Sequence, residues 1–335
     1  MVLTLVIALA SPPAAAVANP ELHTASAGAI GRPQPADALF SFRIGVWNKL
    51  HHFLYVLGRA QNGVPDMRRE AVAGAPGDVE GLSARPDAER GAWDDAIRFY
   101  AAGLSTKDAV FDAEMVKVTQ ILTAVPDSSD LSRLGLDPQL VAVLKRVEPV
   151  YRAVWWPRHA RANHARRDEL QLLAEKHGPA LVKRLTTVFG AEWPAQPRMI
   201  DLAAYVSWSG AYSTDGGLIV MATLSDSNRG LWGLESMLHE AAHQWDEQFE
   251  RRLSAVAAKT GKPLPAQLSH AIIFHTCGEL MRELFPDHVP SADKVGIWNR
   301  GLGPFKARLD RHWRPYLRGA NTFDEAIAAI LAGAL

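Results

Sequence analysis

Hydrophobic positions in this chain recur mostly at helical spacing, and only late in the sequence do they close up into short apolar runs. Phe40, Ile44, Trp47, Leu50, Leu54 and Leu57 fall three or four apart across residues 36–58, the spacing of one buried helix face. Similar stripes predict helices over 92–102, 107–124, 138–155 and 167–189. Apolar runs then predict strands at 199–208 and 218–224. Residues 231–253 follow as a helix: Ser225, Asp226, Ser227 and Asn228 supply capping residues, and Leu234, Met237, Leu238, Ala241, Ala242 and Trp245 form its apolar stripe. Residues 264–285, 304–317 and 323–334 read as further helices, and 65–90, rich in Pro, Gly and charge, as a long exposed loop. The pattern predicts a helix-rich α+β fold with a small sheet just before the 231–253 helix.

That helix carries His239, Glu240, Ala241, Ala242 and His243, the pattern HExxH. Residues four apart lie one turn apart on one helix face, so both imidazoles can reach a single metal ion. The glutamate beside the first histidine is then placed to take a proton from a water on that metal. Zinc suits neutral imidazole and leaves a fourth position open. A third protein ligand is needed. The extension HExxHxxGxxH fails, because Asp246 and Phe249 occupy its last two fixed positions.

The 264–285 helix offers the alternative. Glu279 has His275 one turn before it and Glu283 one turn after, a polar stripe in an otherwise apolar helix. If buried, such a stripe must be satisfied, and metal ligation would do so. Ile273, Phe274, Cys277, Met281 and Leu284 are expected to pack the opposite side. Glu279 is therefore the expected third ligand, with His275 as its rival. Asp246 lies about two turns beyond His239, too far along the same helix to ligate, and is expected to orient an imidazole instead.

HExxH on one helix and a glutamate on the next resemble the gluzincins, the thermolysin-like branch of the zincin metallopeptidases. The resemblance covers roughly residues 205–283. It implies a zincin-like catalytic core in which His239, His243 and Glu279 hold Zn2+ and Glu240 acts as general base on a peptide or protein substrate. His275, His270 and Tyr212 are candidates to donate a hydrogen bond to the oxyanion. In this family an edge strand beside the metal pairs with the substrate backbone, and residues 216–222 are the candidate here. The string from His239 to Trp245 also resembles the aminopeptidase-N family, but Ser213 and its neighbours offer no glutamate for a substrate amine. The resemblance therefore stops at the broader clan.

Composition narrows the setting. With 335 residues, 48% hydrophobic, the chain can bury a full core, and its formal net charge of zero favours neither nucleic acid nor an anionic membrane surface. The single cysteine, Cys277, excludes an intrachain disulfide. No later apolar run is long enough for a membrane span. Residues 1–18 read as a signal peptide, apolar over Val2 to Ala10 with small residues at Ala16, Val17 and Ala18. Residues 19–36 read as a flexible lead-in, 37–190 as a helical region and 191–335 as the catalytic region. The sequence thus predicts a secreted or periplasmic zinc metallopeptidase. The alternatives are a metal-binding scaffold of the same fold with little turnover, and a hydrolase of a non-peptide amide.

Overall fold

The computed structural model describes residues 38–64, 81–207, 210–214 and 216–333. The expected signal peptide and lead-in, and residues 65–80 of the expected long loop, lie outside them. The architecture is α+β and helix-rich, with one four-stranded sheet.

Phe40–Arg43 forms β1, although the helical spacing of Phe40 and Ile44 predicts a helix there. The local alternation of Phe40, Ser41, Phe42 and Arg43 suits a strand, and β1 pairs in parallel with β2, Arg198–Ala203. Helix α1, Val46–Gln61, follows, then α2 (Asp87–Ala102), α3 (Ala113–Ala124) and α4 (Pro138–Val154). Their apolar faces build one core around Phe53, Trp93, Tyr100, Tyr151 and Trp155. Helix α5, Trp156–Phe189, starts well before the predicted residue 167. Its first turns bury His159, Asn163 and Arg166, so the buried face there is polar and carries no hydropathy signal.

The sheet order is β1-β2-β4-β3, where β3 is Ala211–Ser213 and β4 is Ile219–Ala222. Strand β4 runs parallel to β2 and antiparallel to β3. It is buried along its whole length in the sheet interior. The expected substrate-edge strand at 216–222 is thus corrected: β4 has neighbours on both sides, and among the described residues the edges are β1 and β3. Side chains alternate as a pleated strand requires. Ile200, Leu202, Ala211, Ile219 and Met221 face the core shared with α5 and the metal-motif helix. Tyr212, Val220 and Ala222 face the other way.

Helix α6, Gly230–Ala242, packs against α5 and begins where Glu169 of α5 accepts a hydrogen bond from the Gly230 amide at 3.0 Å. A side chain at Gly233 would strike Asn228 O at 2.4 Å and Leu170 at 2.6 Å, so the glycine permits this close approach. The predicted 231–253 helix is interrupted. After α6, a tight turn spans His243–Trp245, and α7 runs Asp246–Thr260 with Asp246 and Glu247 in its first turn, where the helix dipole favours acids. The Trp245 indole donates to Glu192 O at 3.2 Å, which holds the turn in place.

Helix α8, Leu268–Leu284, lies against α6. The chain then closes through α9 (Ser291–Lys294), α10 (Gly303–Arg308), a wide turn of π geometry at Leu309–Trp313, α11 (Arg314–Leu317) and α12 (Phe323–Ala332). Among the described residues no helix is long and apolar enough to cross a membrane.

Candidate metal centre

The last turn of α6 presents His239 and Glu240, the following tight turn presents His243, and the first turn of α8 presents His270. His239 Nε2 lies 3.3 Å from His243 Nε2 and 3.3 Å from His270 Nε2. One ligand atom from each of the three residues falls within 4.8 Å of the others. Two nitrogens each 2.0–2.1 Å from one tetrahedral zinc would stand about 3.3 Å apart, so the spacing fits that ion.

The protonation pattern fits as well. His243 Nδ1 donates to Asp246 Oδ2 at 2.8 Å, which leaves its Nε2 as a lone pair aimed at His239. Asp246 thereby orients an imidazole, the place expected for it. A neutral His239 ring can offer its Nε2 hydrogen to only one of its two neighbours. A cation between the three nitrogens satisfies every lone pair at once. Phe274, one turn after His270, stacks on the His239 ring with centroids 3.9 Å apart and fixes its plane.

Burial sets the proton affinities. His239, 7% exposed, is pushed well below the usual histidine range by burial, then by the neighbouring His243 and His270. His270 falls to about 4, by burial and then by His243. Burial also acts to lower His243, but the Asp246 hydrogen bond and the charges of Glu240 and Asp246 outweigh it and raise the ring. The Glu240 carboxyl is raised by burial, offset in part by His243 and by hydrogen bonds from the side chain and backbone of Ser213. Ser213 belongs to strand β3, an edge of the sheet among the described residues, so the carboxylate lies between the metal-motif helix and that edge.

Glu279 lies elsewhere. His270 and Glu279 are separated by about 13 Å of helix rise, and the Glu279 carboxylate accepts Arg314 Nε at 2.7 Å and Nη2 at 3.2 Å, with Arg282 at 3.3 Å. The polar stripe on α8 is satisfied by Arg282 and Arg314 on Glu279, Arg184 of α5 on Glu283 and Asp310 on His275, and the residue that stands third beside His239 and His243 is His270. His275 does not enter the cluster either. Its Nε2 donates to Asp310 Oδ1 at 3.0 Å. Tyr212 faces away from Ser213, and its hydroxyl meets His52 Nε2 at 2.9 Å on the far side of the sheet. His270 carries a sequence signal: with Phe274, Cys277 and Met281 it forms the stripe of α8 three and four apart that packs on α6.

No protein-family model, no curated protein and no solved structure matches this chain.

Proposed function

We propose that the protein is a zinc-dependent hydrolase of amide bonds, a peptidase of zincin type in which His239, His243 and His270 hold the ion. The observation that carries this reading is the convergence of three imidazole nitrogens, 3.3 Å apart along two sides, with a buried carboxylate on the residue next to one of them. When bound, zinc would supply Lewis acidity at an open fourth position. An all-imidazole set adds no negative charge, so the ion would keep its full charge at that position.

The protein's own groups account for the proton movements. Glu240, whose carboxyl holds a proton more readily than an exposed glutamate, accepts one from the attacking water at a carboxylate oxygen. It then gives that proton to the amine nitrogen as the carbon–nitrogen bond breaks, and the water oxygen stays on the carbonyl carbon. Ser213 holds the carboxylate in place. Asp246 keeps the His243 proton on Nδ1, away from the metal side. Strand β3, with one ladder neighbour among the described residues, offers an edge on which an extended peptide backbone can align.

Two measurements on the purified chain test the reading. Metal analysis should give one zinc per chain, and a peptide-library digest should show cleavage. Glu240→Gln keeps the shape but removes the base, so zinc should remain while cleavage drops by about two orders of magnitude or more. Parent-rate cleavage by that variant would show that another group is the base.

A further inference from the structure

The strand beside Glu240 is only three residues long, and two helices grip it from behind. Register places Asp201 of β2, Val220 of β4 and Tyr212 of β3 in one row across the sheet, on the face away from α6. Helix α1 crosses that row. Asn48 and Lys49 hydrogen-bond the Asp201 carboxylate, and one turn later His52 meets the Tyr212 hydroxyl at 2.9 Å. Helix α3 crosses it in the opposite sense. Thr119 Oγ1 lies 3.4 Å from the Tyr212 hydroxyl, and one turn later Thr123 Oγ1 donates to Asp201 at 3.2 Å.

The hydrogen positions follow from the partners. His52 Nδ1 donates to Asn48 O at 2.9 Å, so the neutral ring offers a lone pair at Nε2. The Tyr212 hydroxyl donates into that lone pair and accepts from Thr119. Tyr212, His52 and Thr119 are all buried. The flanks of the strand are held too. Asn228 donates to Gly210 O at 2.9 Å, and Gln120 donates to Thr214 Oγ1 at 3.3 Å. So short a strand, with one ladder neighbour among the described residues, has little stability of its own.

We propose that the Tyr212 hydroxyl, gripped by His52 and Thr119, is a positioning group for hydrolysis: it fixes the depth of the Ala211–Ser213 strand against the metal-motif helix, and with it the Ser213 contacts on Glu240. The inference rests on the hydrolase reading above. It gives Tyr212 a place in the reaction different from oxyanion donor, since its one hydroxyl proton is spent on His52.

The test uses the full, zinc-loaded chain and the variant Tyr212→Phe, which keeps the ring and removes the hydroxyl. Zinc content should be unchanged. Amide exchange at residues 211–214 should speed up about tenfold while α6 keeps the parent rate. Peptide kcat, measured well below the melting temperature, should fall about tenfold with KM changing by less than about twofold. His52→Leu should behave alike, and His52→Gln, whose amide oxygen can accept the tyrosine proton, should recover most of the parent kcat. Unchanged exchange at 211–214 overturns the tether. A lower melting temperature with parent kcat shows a stability element only and overturns the positioning role. A parent chain that binds zinc but cleaves no peptide overturns the hydrolase reading instead, which the exchange measurement does not depend on.

Discussion

The buried and partly buried histidines at hydrogen-bond distance from another side chain fall into two groups that differ in what stands opposite the ring. In the helical layer, along the polar side of α8 and in the segment after α8, each ring has a partner of complementary character. His51 meets Tyr100, His52 meets Tyr212, His159 meets Tyr151, His275 meets Asp310 and His288 meets Glu235, all between 2.6 and 3.0 Å. At the junction of α6 and α8, His239, His243 and His270 meet one another. Burial alone does not separate the groups, since His275 is 5% exposed and His239 is 7%. A ring facing an acid or a hydroxyl has the nitrogen on that side satisfied already. Rings that turn their Nε2 atoms on each other offer a site that a shared cation would satisfy, and that contrast is open to experiment.

The largest expected effect compares two histidines of one helix. His270→Ala should lose stoichiometric zinc, because two imidazoles remain where three protein ligands are required. His275→Ala should keep it and show only lower stability, since it strips Asp310 of one of its partners. Metal analysis after gel filtration reads both. Zinc retained in His270→Ala and lost in His275→Ala would reverse the assignment of the two groups.

Acid should unfold the protein through the satisfied group. His52 is lowered to about 4 by burial, and His159 to about 3 by burial and then by Arg158. Both rings stay neutral in the folded state, whereas the unfolded chain takes up protons near 6.5. Stability from these rings is therefore complete above about pH 6.5 and is lost as the pH falls towards about 4 and 3, by on the order of 3 kcal/mol for His52 and about 5 kcal/mol for His159. Urea midpoints measured against pH in chelator, for the parent and for His159→Gln, isolate one of the two. An equally steep acid loss in the variant would remove His159 from the account.

A smaller effect is expected behind the cluster. Asp246→Ala removes the acceptor that fixes the His243 tautomer, and zinc affinity should fall about 10- to 100-fold without loss of the site. Competition with a chelator of known affinity measures it. Parent affinity would mean that the turn geometry alone orients His243.

What was legible in the sequence follows the same division between local and distant partners. His239, Glu240 and His243 are set by spacing along one stretch of backbone, and Asp246 sits close enough to His243 for its orienting contact to be foreseen. His270 depends on which face of α8 turns towards α6. Phe274 and Cys277 mark that face as apolar core, so the sequence points to the polar stripe as the metal-facing side instead. The early start of α5 was hidden because its buried face is His159, Asn163 and Arg166. Strand β1 was hidden because Phe40 and Ile44 also fit a helix. The small sheet before the metal-motif helix was visible from its apolar runs, but not its strand order, which makes β3 the edge.

Glu279 supplies the smallest expected effect and the sharpest check on α8. Its carboxylate was expected on the metal because a buried acid must be neutralised; Arg314, from a helix distant in sequence, neutralises it instead. In Glu279→Gln the arginine keeps Asp310 and is itself partly open to water, with 26% of its side chain exposed. The loss should be only about 1 kcal/mol. Zinc content should equal that of the parent, as should the amide exchange of residues 239–243. A folded Glu279→Gln protein without zinc would place the carboxylate on the metal after all and move His270 out of the third position. Unchanged zinc with a slightly lower melting temperature is what an acid bound to arginine predicts. The α8 polar stripe is then a seam that fastens α5 and the C-terminal helices, and the ligand lies on the face that reads as core.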